Sequence, residues 1–312
     1  MGSSAPSTSR DRRIGNQRTT TKRRNMHTLV IDTSFGSTVG VVGYEPVIEH
    51  DSRTHVERLR DDIAAACARA GIAPHELGRI VTGIGPAPFT GLRAGIVTAK
   101  AIAYATGAQL LGQDDLTPNV ALMHAVHRHD ARFAQWFDYG DVSVMNADTN
   151  TVNFTLSVND ARRKQLYFAL YADLDPQGDD PTTIIDMDID APVHIAERVR
   201  QCVDDHLERH PGINAVVDVI GHGACTYASA WDAIGHVETV SDTAALDTGV
   251  HGLALFAHIA ERQCEADGNA EDGDGNVEPL YLRRPDVSVP NPLKHVLNHD
   301  PVRERDNGKA VS

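Results

Sequence analysis

The chain has 312 residues, 41% of them hydrophobic and 23% charged, which is enough for two modest domains with buried cores. No apolar run approaches the roughly 20 residues that a membrane-spanning helix requires, and residues 1–25 lack the apolar centre of a signal peptide. The cysteines at positions 67, 202, 225 and 264 form no CxxC pair, which favours free thiols over a disulfide frame or a zinc site. These features argue against a membrane protein and predict a cytoplasmic location.

The formal net charge of −14 is divided unevenly along the chain. Residues 1–25 contain seven Lys or Arg and one Asp, so the negative excess belongs to residues 26–312. An acidic protein surface repels phosphate backbones, which argues against a protein whose main function is to bind a nucleic acid directly. We expect residues 1–25 to be a basic, disordered tail that is either simply solvated or makes weak, salt-sensitive contacts with RNA.

The first predicted element is a β-hairpin. Two apolar runs, 28–32 and 37–43, flank a short turn that follows Asp32. Actin-like and sugar-kinase-like ATPases cradle nucleotide phosphates with such a hairpin, and Asp32, Thr33 and Ser34 would supply a carboxylate and two hydroxyls. Any tight turn prefers the same residue types, so a purely structural turn is the alternative.

A short strand over 46–50 precedes an amphipathic helix over 53–70. Apolar side chains, among them Leu59 and Ile63, recur on one face of this helix at helical spacing. His55 lies in its first turn. Because no Ser or Cys nucleophile is paired with it, we interpret His55 as a surface or packing residue rather than a catalytic base.

The stretch 83–100, GIGPAPFTGLRAGIVTAK, joins the end of a strand to a helix over 90–105 through a loop rich in Gly and Pro. Pro88 is expected in the first helical turn, or Thr90 as the helix cap. Free N–H groups at the start of a helix and the charge of Arg93 favour the binding of an anion at this loop. The candidate anion-binding residues are Gly85, Thr90, Gly91 and Arg93. A plain structural turn is an equal alternative, since the loop lacks the GK[ST] sequence of a P-loop.

The helix that leaves this loop carries unusually small side chains. Leu92, Ile96, Ala99 and Ala103 share one face, and the Ala and Gly residues around them let another helix approach closely. We therefore predict a packing element whose neighbour is either the same chain or another protein.

A strand over 108–111 and a helix over 117–127 follow. Residues 128–150 show no clear periodicity, and we interpret them as an insertion or an irregular connection that marks a domain boundary. Three histidines near this boundary lack the spacing of metal ligands: His124, His127 and His129.

The second half repeats the layout of the first. Strands are predicted at 152–158, 165–171, 183–188 and 215–220, and helices at 193–210 and 242–265. Asp160 lies in the turn after the first of these strands, so the acidic hairpin tip recurs, as in folds built from two related halves. His206 and His210 form an HxxxH pair at a helix end that Pro211 terminates, where a structural role is favoured over metal binding. The acidic, Gly-rich run after residue 265 indicates a flexible linker, and its partial calcium-loop pattern at 272–276 lacks the Gly and the final Glu of that motif.

Five segments, in their order and spacing, resemble the bacterial TsaB (YeaZ) family, whose members are partner proteins in making threonylcarbamoyladenosine in tRNA. The segments are LVIDTSFGSTVGVV (29–42), RTHVERL (53–59), GIGPAPFTGLRAGIVTAKAIA (83–103), NDARRKQLYFALY (159–171) and PLYLRRPD (279–286). The resemblance runs from about Met26 to Asp286, and the third segment is its most specific part.

The resemblance implies an α/β, actin-like fold of the ASKHA and ribonuclease H-like type, with two subdomains of mixed sheets flanked by helices. The first subdomain would span 26–127, with the helix 242–265 packing back on it, and the second would span 151–241. Residues 128–150 would connect them, and residues 266–312 would form an acidic linker and tail.

The resemblance also implies a non-catalytic scaffold. Such a protein pairs with the catalytic paralogue TsaD and the ATPase TsaE, forms homodimers when alone, and meets tRNA mainly through the complex. No metal or cofactor of the chain's own is implied, and ATP or ADP would bind only at a partner interface. The implied interface residues are His55, Leu59, Ile63, Phe89, Leu92, Ile96, Ala99 and Ala103.

Two departures from the family pattern bear on these expectations. The family loop usually reads GPGSFTGLR, and here Ala87 and Pro88 replace Gly and Ser, which weakens phosphate binding. Asp32, Thr33, Ser34 and Asp160 are accordingly interpreted as degenerate tips of phosphate hairpins. Arg60 and Asp61 stand where members commonly have an apolar residue and Pro, so the interface would be more charged.

Two other function classes compete with the scaffold. An active ATPase or small-molecule kinase of the same fold would use Asp32 and Asp160 around Mg-ATP, with the turn 221–223 as a poor adenosine loop. A metalloprotease would need His206 and His210 on a helix that lines a cleft.

Overall fold

The computed structural model describes residues 26–51, 55–140, 150–174, 181–266 and 277–282. Within these residues the chain forms two five-stranded sheets, each flanked by helices. No helix in this part of the chain has the length and apolar character that a bilayer span requires.

The first sheet has the strand order β3-β2-β1-β4-β5. Its strands are β1 (His27–Asp32), β2 (Ser37–Val41), β3 (Val47–Glu49), β4 (Leu77–Gly83) and β5 (Gln109–Gln113). The central strand β1 pairs antiparallel with β2 and parallel with β4. Both faces of β1 are buried, which is why its sequence is a continuous apolar run rather than an alternating one.

Helices cover both faces of the first sheet. They are α1 (His55–Ala70) and α2 (Phe89–Thr106) on one face and α6 (Gly249–Ala266) on the other. Leu29 and Ile31 of β1 join the core with α1 and α2, whereas Val30 joins the core with α6. Because successive strand side chains point to opposite faces of a sheet, each apolar residue of β1 has a helix to pack against.

The second sheet has the order β10-β9-β6-β7-β8. Its strands are β6 (Thr151–Asp160), β7 (Leu166–Ala172), β8 (Thr182–Asp190), β9 (Asn214–Ile220) and β10 (Val237–Ser241). The pairings of β6 with β7 and of β7 with β8 are antiparallel, and those of β6 with β9 and of β9 with β10 are parallel. Counted from β8, this is the order and pairing of the first sheet, so the two halves share one topology.

The second sheet is also covered on both faces. The helices are α4 (Pro192–Arg209) and α5 (Ala228–Trp231) on one side and α3 (Thr117–His127) on the other. α3 leaves the first sheet after β5 and packs Val120 against Ala169 of the second. It therefore ties the two halves together, and it also contacts α6.

The structure differs from the predicted elements in three places. β10 was not predicted, and the predicted helix 242–265 begins at Gly249 because residues Ala245–Thr248 form a 3₁₀ turn. Residues 128–140 of the predicted irregular connection form turns that bury Phe133 and Phe137 in a core with α3. Residues 141–149, the tail 1–25 and the calcium-like pattern at 272–276 lie outside the described residues. The predicted subdomain boundaries stay predictions.

Candidate functional site

A cleft opens between the two sheets at the ends of β1 and β6. Its walls include Asp32, Phe35, Asp115, Asn119, Asn159 and His222. Both halves of the chain thus contribute polar side chains to one place, where an actin-like enzyme would hold a nucleotide. Asp115, Asn119 and Asn159 were not predicted as site residues. A signal for Asp115 existed, because it closely follows the strand predicted over 108–111, and ligand sites in open α/β sheets form at the carboxyl ends of strands.

The polar groups of the turn after β1 form hydrogen bonds to other groups of the same chain. Ser34 donates its hydroxyl to Asp32 Oδ1 at 2.7 Å and its backbone N–H to the same carboxylate. Thr33 Oγ1 donates to the carbonyl of Gly91 in α2 at 2.9 Å. The predicted phosphate-hairpin residues Asp32, Thr33 and Ser34 are all buried. The turn therefore holds α2 against the sheet and presents no free hydroxyl to a phosphate.

Asp32 and Asp115 form a buried acidic pair at the floor of the cleft. Burial raises the pKa of Asp32, against hydrogen bonds from Ser34 that lower it. Burial, and next the charge of Asp32, hold the pKa of Asp115 well above its ordinary value. Neither buried oxygen of Asp115 accepts a well-formed hydrogen bond, although Asp32 and Ser34 lie next to them. The pair therefore resists full ionisation in the absence of a positive charge.

The cleft is closed by contacts between the halves. The rings of Phe35 and His222 stack with centroids 3.9 Å apart and planes at 17°, and His222 Nε2 lies 2.9 Å from Asp247 Oδ2. The space left inside has a volume of about 30 Å³, on the order of one water molecule. Small-molecule sites usually measure roughly 300–1,000 Å³, so a nucleotide does not fit between the halves in this conformation.

Asn119 of α3 also stabilises the closed arrangement, through hydrogen bonds to two other elements. Its side-chain amide donates to Ser157 Oγ of β6 at 3.0 Å, and its carbonyl accepts the backbone N–H of Ala245 at 2.8 Å. Ser157 in turn donates to the carbonyl of Leu116 at 2.9 Å. Because Asn119 is 2% exposed, this network is shielded from competing water.

Asp160 does not share the cleft with Asp32. It lines a separate outer pocket with Phe35, His222 and Asp242, and it accepts the backbone N–H of Arg162 at 2.8 Å. Its carboxylate also lies 3.5 Å from the Arg162 guanidinium. Asp32 and Asp160, which the rival ATPase or kinase hypothesis places around one Mg-ATP, thus line different pockets in this conformation.

The predicted anion-binding loop is organised differently from the expectation. Pro88 precedes the first helical residue and Thr90 lies inside the helix, so neither side chain caps α2. The carbonyl of Gly91 is taken by Thr33, and Gly85 is buried with its carbonyl bonded to the N–H of Asp115. Arg93 lies over the ring of Phe89 at 5.0 Å rather than over the loop. Anion binding here stays a prediction, and none of these contacts favours it.

The interface residues predicted on α1 and α2 are mostly core residues. Five of them are at most 8% exposed and pack in the core of the first sheet: Leu59, Ile63, Leu92, Ile96 and Ala99. Ala103 is partly buried against that core, and the side chain of His55 lies outside the described residues. The periodicity was interpreted correctly as an apolar face, but this face is turned toward the chain's own sheet. These five side chains are therefore corrected to packing residues.

The opposite side of α2 is exposed and partly apolar. Phe89 is 40% exposed, Val97 62% and Tyr104 93%, and Arg93 and Ala101 lie exposed between them. We call these five residues the α2 stripe. Their spacing of three or four residues places them along one side of the helix. An exposed apolar stripe of this kind is typical of a protein–protein interface.

His127, His206 and His210 have structural partners. His127 Nε2 lies 2.7 Å from Asp218 Oδ2, with both residues buried. The rings of His206 and His210 stack at 4.4 Å, and His206 also packs edge-on against Phe154. Burial lowers the pKa of His206. Among the described residues, no group of three or more His, Cys, Asp or Glu side chains is arranged to hold a metal.

Comparison with known proteins finds one matching family model and several related sequences. Residues 41–126 match a family model described as TsaD: tRNA N6-adenosine threonylcarbamoyltransferase. The uncharacterized protein Rv3421c of Mycobacterium tuberculosis is 30% identical over 205 residues, which cover 61% of this chain and 84% of that protein. The uncharacterized protein Mb3455c of Mycobacterium bovis matches with the same identity and coverage.

Among solved structures, YeaZ from Pseudomonas aeruginosa is similar with a TM-score of 0.52. The alignment is 18% identical and covers 82% of this chain and all of that one. Together with the repeated strand order, this likeness confirms the predicted α/β, actin-like fold.

Proposed function

The chain belongs to the TsaB/YeaZ-like family of its mycobacterial relatives, and on that basis we propose that it supports a TsaD-type threonylcarbamoyltransferase in the modification of tRNA. It does so as a non-catalytic scaffold, together with the ATPase TsaE, and it forms a homodimer when no TsaD is present. It acts in the cytoplasm and meets tRNA mainly through the complex. It needs no cofactor of its own, and any ATP or ADP binds at a partner interface.

The observation that carries this proposal is the α2 stripe. Val97 and Tyr104 are large apolar side chains left 62% and 93% exposed on a helix whose other face is fully used by the core. Burying such side chains against a partner contributes roughly 1.5–3 kcal/mol each when burial is complete. The adjacent helix α1 adds the exposed Val56, so a partner would meet both helices.

The closed cleft supports a scaffold over the rival ATPase or kinase. Mg-ATP would have to separate Phe35 from His222 and break the Asn119 network before it could enter. The two acidic tips of the rival hypothesis also face different pockets. ATP turnover by the isolated chain that disappears in Asp32→Ala would reinstate the rival.

The scaffold is tested by Val97→Asp and Tyr104→Glu, which place a charge on the α2 stripe without touching the core. We expect each variant to weaken the complex with the cognate TsaD by at least tenfold, about 1.4 kcal/mol, measured by size-exclusion chromatography with light scattering and by titration calorimetry. Val193→Asp on α4 is the matched control, because Val193 is also a helical valine, 59% exposed.

Two results would contradict the proposal. If the wild-type chain forms no complex with TsaD, the scaffold role fails. If Val97→Asp and Val193→Asp bind TsaD equally well, the interface lies elsewhere on the chain. Ala99→Trp is unsuitable for this test, because Ala99 is fully buried and a bulky side chain there would disturb the fold.

A further inference from the structure

A cavity much larger than the closed cleft lies where β8 faces α3 and α6. We call it the β8–α6 cavity; Thr117, Tyr171, Asp186 and Ile259 are among the residues that line it. Its volume is about 530 Å³, within the roughly 300–1,000 Å³ of small-molecule sites. Among the described residues, none lines both this cavity and the cleft, and none of the α2 stripe lines it.

The strand β8 is irregular beside this cavity. Phe168 of β7 pairs with Asp188, and Leu170 pairs with Ile185. The two β7 residues are two positions apart in sequence, whereas their β8 partners are three positions apart. One residue more therefore stands on β8 than on β7, which is a β-bulge. Bulges occur preferentially next to functional sites, where they redirect a side chain.

The bulge directs Asp186 into the cavity. Asp186 and its neighbour Met187 both line the β8–α6 cavity, although successive side chains of a regular strand point to opposite faces. Asp188 instead pairs with Arg198 of α4 at 2.8 Å, on the other face of the sheet. The Asp186 carboxylate has no such ion-pair partner among the described residues. A negative charge thus faces the cavity and not a cation of the protein.

Hydroxyl groups lie in the same part of the cavity. The Tyr171 hydroxyl is 3.3 Å from Thr117 Oγ1, and both residues line the cavity. Burial raises the pKa of Tyr171, and the charges of Asp114 and Asp186 raise it further, so the phenol stays neutral and remains a hydrogen-bonding group. Carboxylate and hydroxyl oxygens accept hydrogen bonds, which is what an ammonium group requires.

The α6 wall of the cavity differs in charge from the β8 wall. His258, Arg262 and Gln263 line it together with Leu255 and Ile259. Arg262 carries five N–H donors in a fork that matches a carboxylate, so it can bind one while it keeps another partner. The cavity therefore combines a negative group on β8, a positive group on α6 and apolar side chains.

We propose that the β8–α6 cavity binds a small zwitterion with an apolar body, namely an apolar amino acid or a short apolar peptide. Its ammonium group binds Asp186 and the hydroxyl of Tyr171, and its carboxylate binds Arg262. Its apolar side chain packs against Met187 and Ile259, where a flexible Met adapts to side chains of different shape. This function goes beyond the scaffold role, because the cavity lies outside the α2 stripe and needs neither TsaD nor tRNA.

The test is titration calorimetry on the full chain with L-leucine and with L-leucyl-L-leucine. We expect saturable binding of at least one of them. Tighter binding of L-leucine would identify a free amino acid as the ligand, and tighter binding of the dipeptide would identify a peptide. N-acetyl-L-leucine lacks the ammonium group and 3-methylbutylamine lacks the carboxylate, so each should bind roughly tenfold more weakly or worse, as expected for the loss of a charged hydrogen bond.

Asp186→Asn keeps the shape of the side chain and removes its charge. It should weaken binding of the zwitterion roughly tenfold and leave the affinity for N-acetyl-L-leucine unchanged, because that compound has no ammonium group. The matched control is Asp188→Asn, which removes the same charge two positions away on the α4 side and should leave all affinities unchanged.

Three results would overturn the proposal. The first is that neither L-leucine nor the dipeptide binds to the wild-type chain. The second is that 3-methylbutylamine or N-acetyl-L-leucine binds as tightly as the zwitterions, since the cavity would then not recognise both charges. The third is that Asp186→Asn and Asp188→Asn have equal affinities for the zwitterions, since binding would then take place outside this cavity.

Discussion

Asp115 illustrates how burial changes the contribution of a single carboxyl group to folding. Burial and the neighbouring Asp32 raise its pKa, so the folded protein favours the protonated form. A raised carboxyl pKa stabilises the folded state at pH values below the ordinary pKa of 3.8, and this contribution is lost as the pH rises through the raised value. Above that value the ionised group weakens the fold.

Asp115→Asn should therefore change the pH dependence of stability. We expect the variant and the wild type to differ little near pH 4, and the variant to be more stable near pH 8, because it removes a buried negative charge. Urea unfolding at a series of pH values measures the difference. Asp160→Asn, which removes a more exposed carboxylate, serves as the control. A stability difference that does not change with pH would contradict this account.

At the scale of elements, the close approach of α2 to the β1–β2 turn depends on Gly95. A Cβ at this position would lie 2.3 Å from Thr33 Oγ1, which itself bonds to Gly91 of the same helix. At Gly95, the small residue noted in the sequence therefore allows α2 to pack closely against its own chain. The larger side chains of α2 lie on its exposed side.

Gly95→Val should push α2 away from the turn. We expect a loss of about 1–3 kcal/mol of unfolding free energy, the usual cost of overpacking, measured by chemical denaturation. Ala101→Val places the same β-branched side chain on the exposed side of α2 and should cost only a few tenths of a kcal/mol. Because Val has a better helix propensity than Gly, propensity alone would make Gly95→Val slightly stabilising. Gly95→Val with unchanged or increased stability would therefore contradict the role of the contact with Thr33.

The elements themselves were largely predictable because hydrophobic periodicity is local. The strands around Asp32 and the helix over 117–127 follow directly from apolar runs, turn residues and caps. Whether an apolar face contacts the chain's own core or is exposed depends on the tertiary structure, which local periodicity does not reveal. Leu92 and Ile96 were correctly recognised as one face, but only the position of the first sheet shows that this face is internal.

The cleft residues were harder to predict for the same reason. Asn119, Asn159 and His222 are unremarkable in sequence, and they come together only because the two sheets meet. β10 was missed because its residues Val237–Ser241 include Glu238 and Ser241 and are only half-buried, so they lack the apolar run of a central strand.

At the scale of the whole molecule, two halves of equal topology are held in one closed arrangement. α3 connects the sheets, the Asn119 network joins them below the cleft, and the stack of Phe35 on His222 joins them at the mouth. The contacts at the mouth and the floor of the cleft favour a fixed arrangement of the two halves.

Phe35→Ala should loosen the mouth of the cleft. An aromatic pair contributes roughly 0.5–1.5 kcal/mol beyond its buried area, so the amides of residues 221–223 should exchange with solvent several-fold faster, as measured by hydrogen exchange with mass spectrometry. Phe89→Ala, which breaks the stack with Tyr281 outside the cleft, should leave that exchange unchanged. Unaltered exchange in Phe35→Ala would mean that the Asn119 network alone closes the cleft.

Residues 277–282 return to the first sheet after α6. Val277 is 3% exposed in the core with α1 and α2, the backbone N–H of Leu280 donates to the carbonyl of Ile84 at 2.8 Å, and Tyr281 stacks on Phe89 with ring centroids 5.2 Å apart. The segment binds as a short peptide ligand would, with a buried anchor, a main-chain hydrogen bond and an aromatic contact. Its connection to α6 makes this binding intramolecular, at an effective concentration that no free peptide would reach. Tyr281 thereby shapes one end of the α2 stripe, and a partner that docks there meets a surface built from distant parts of the same chain.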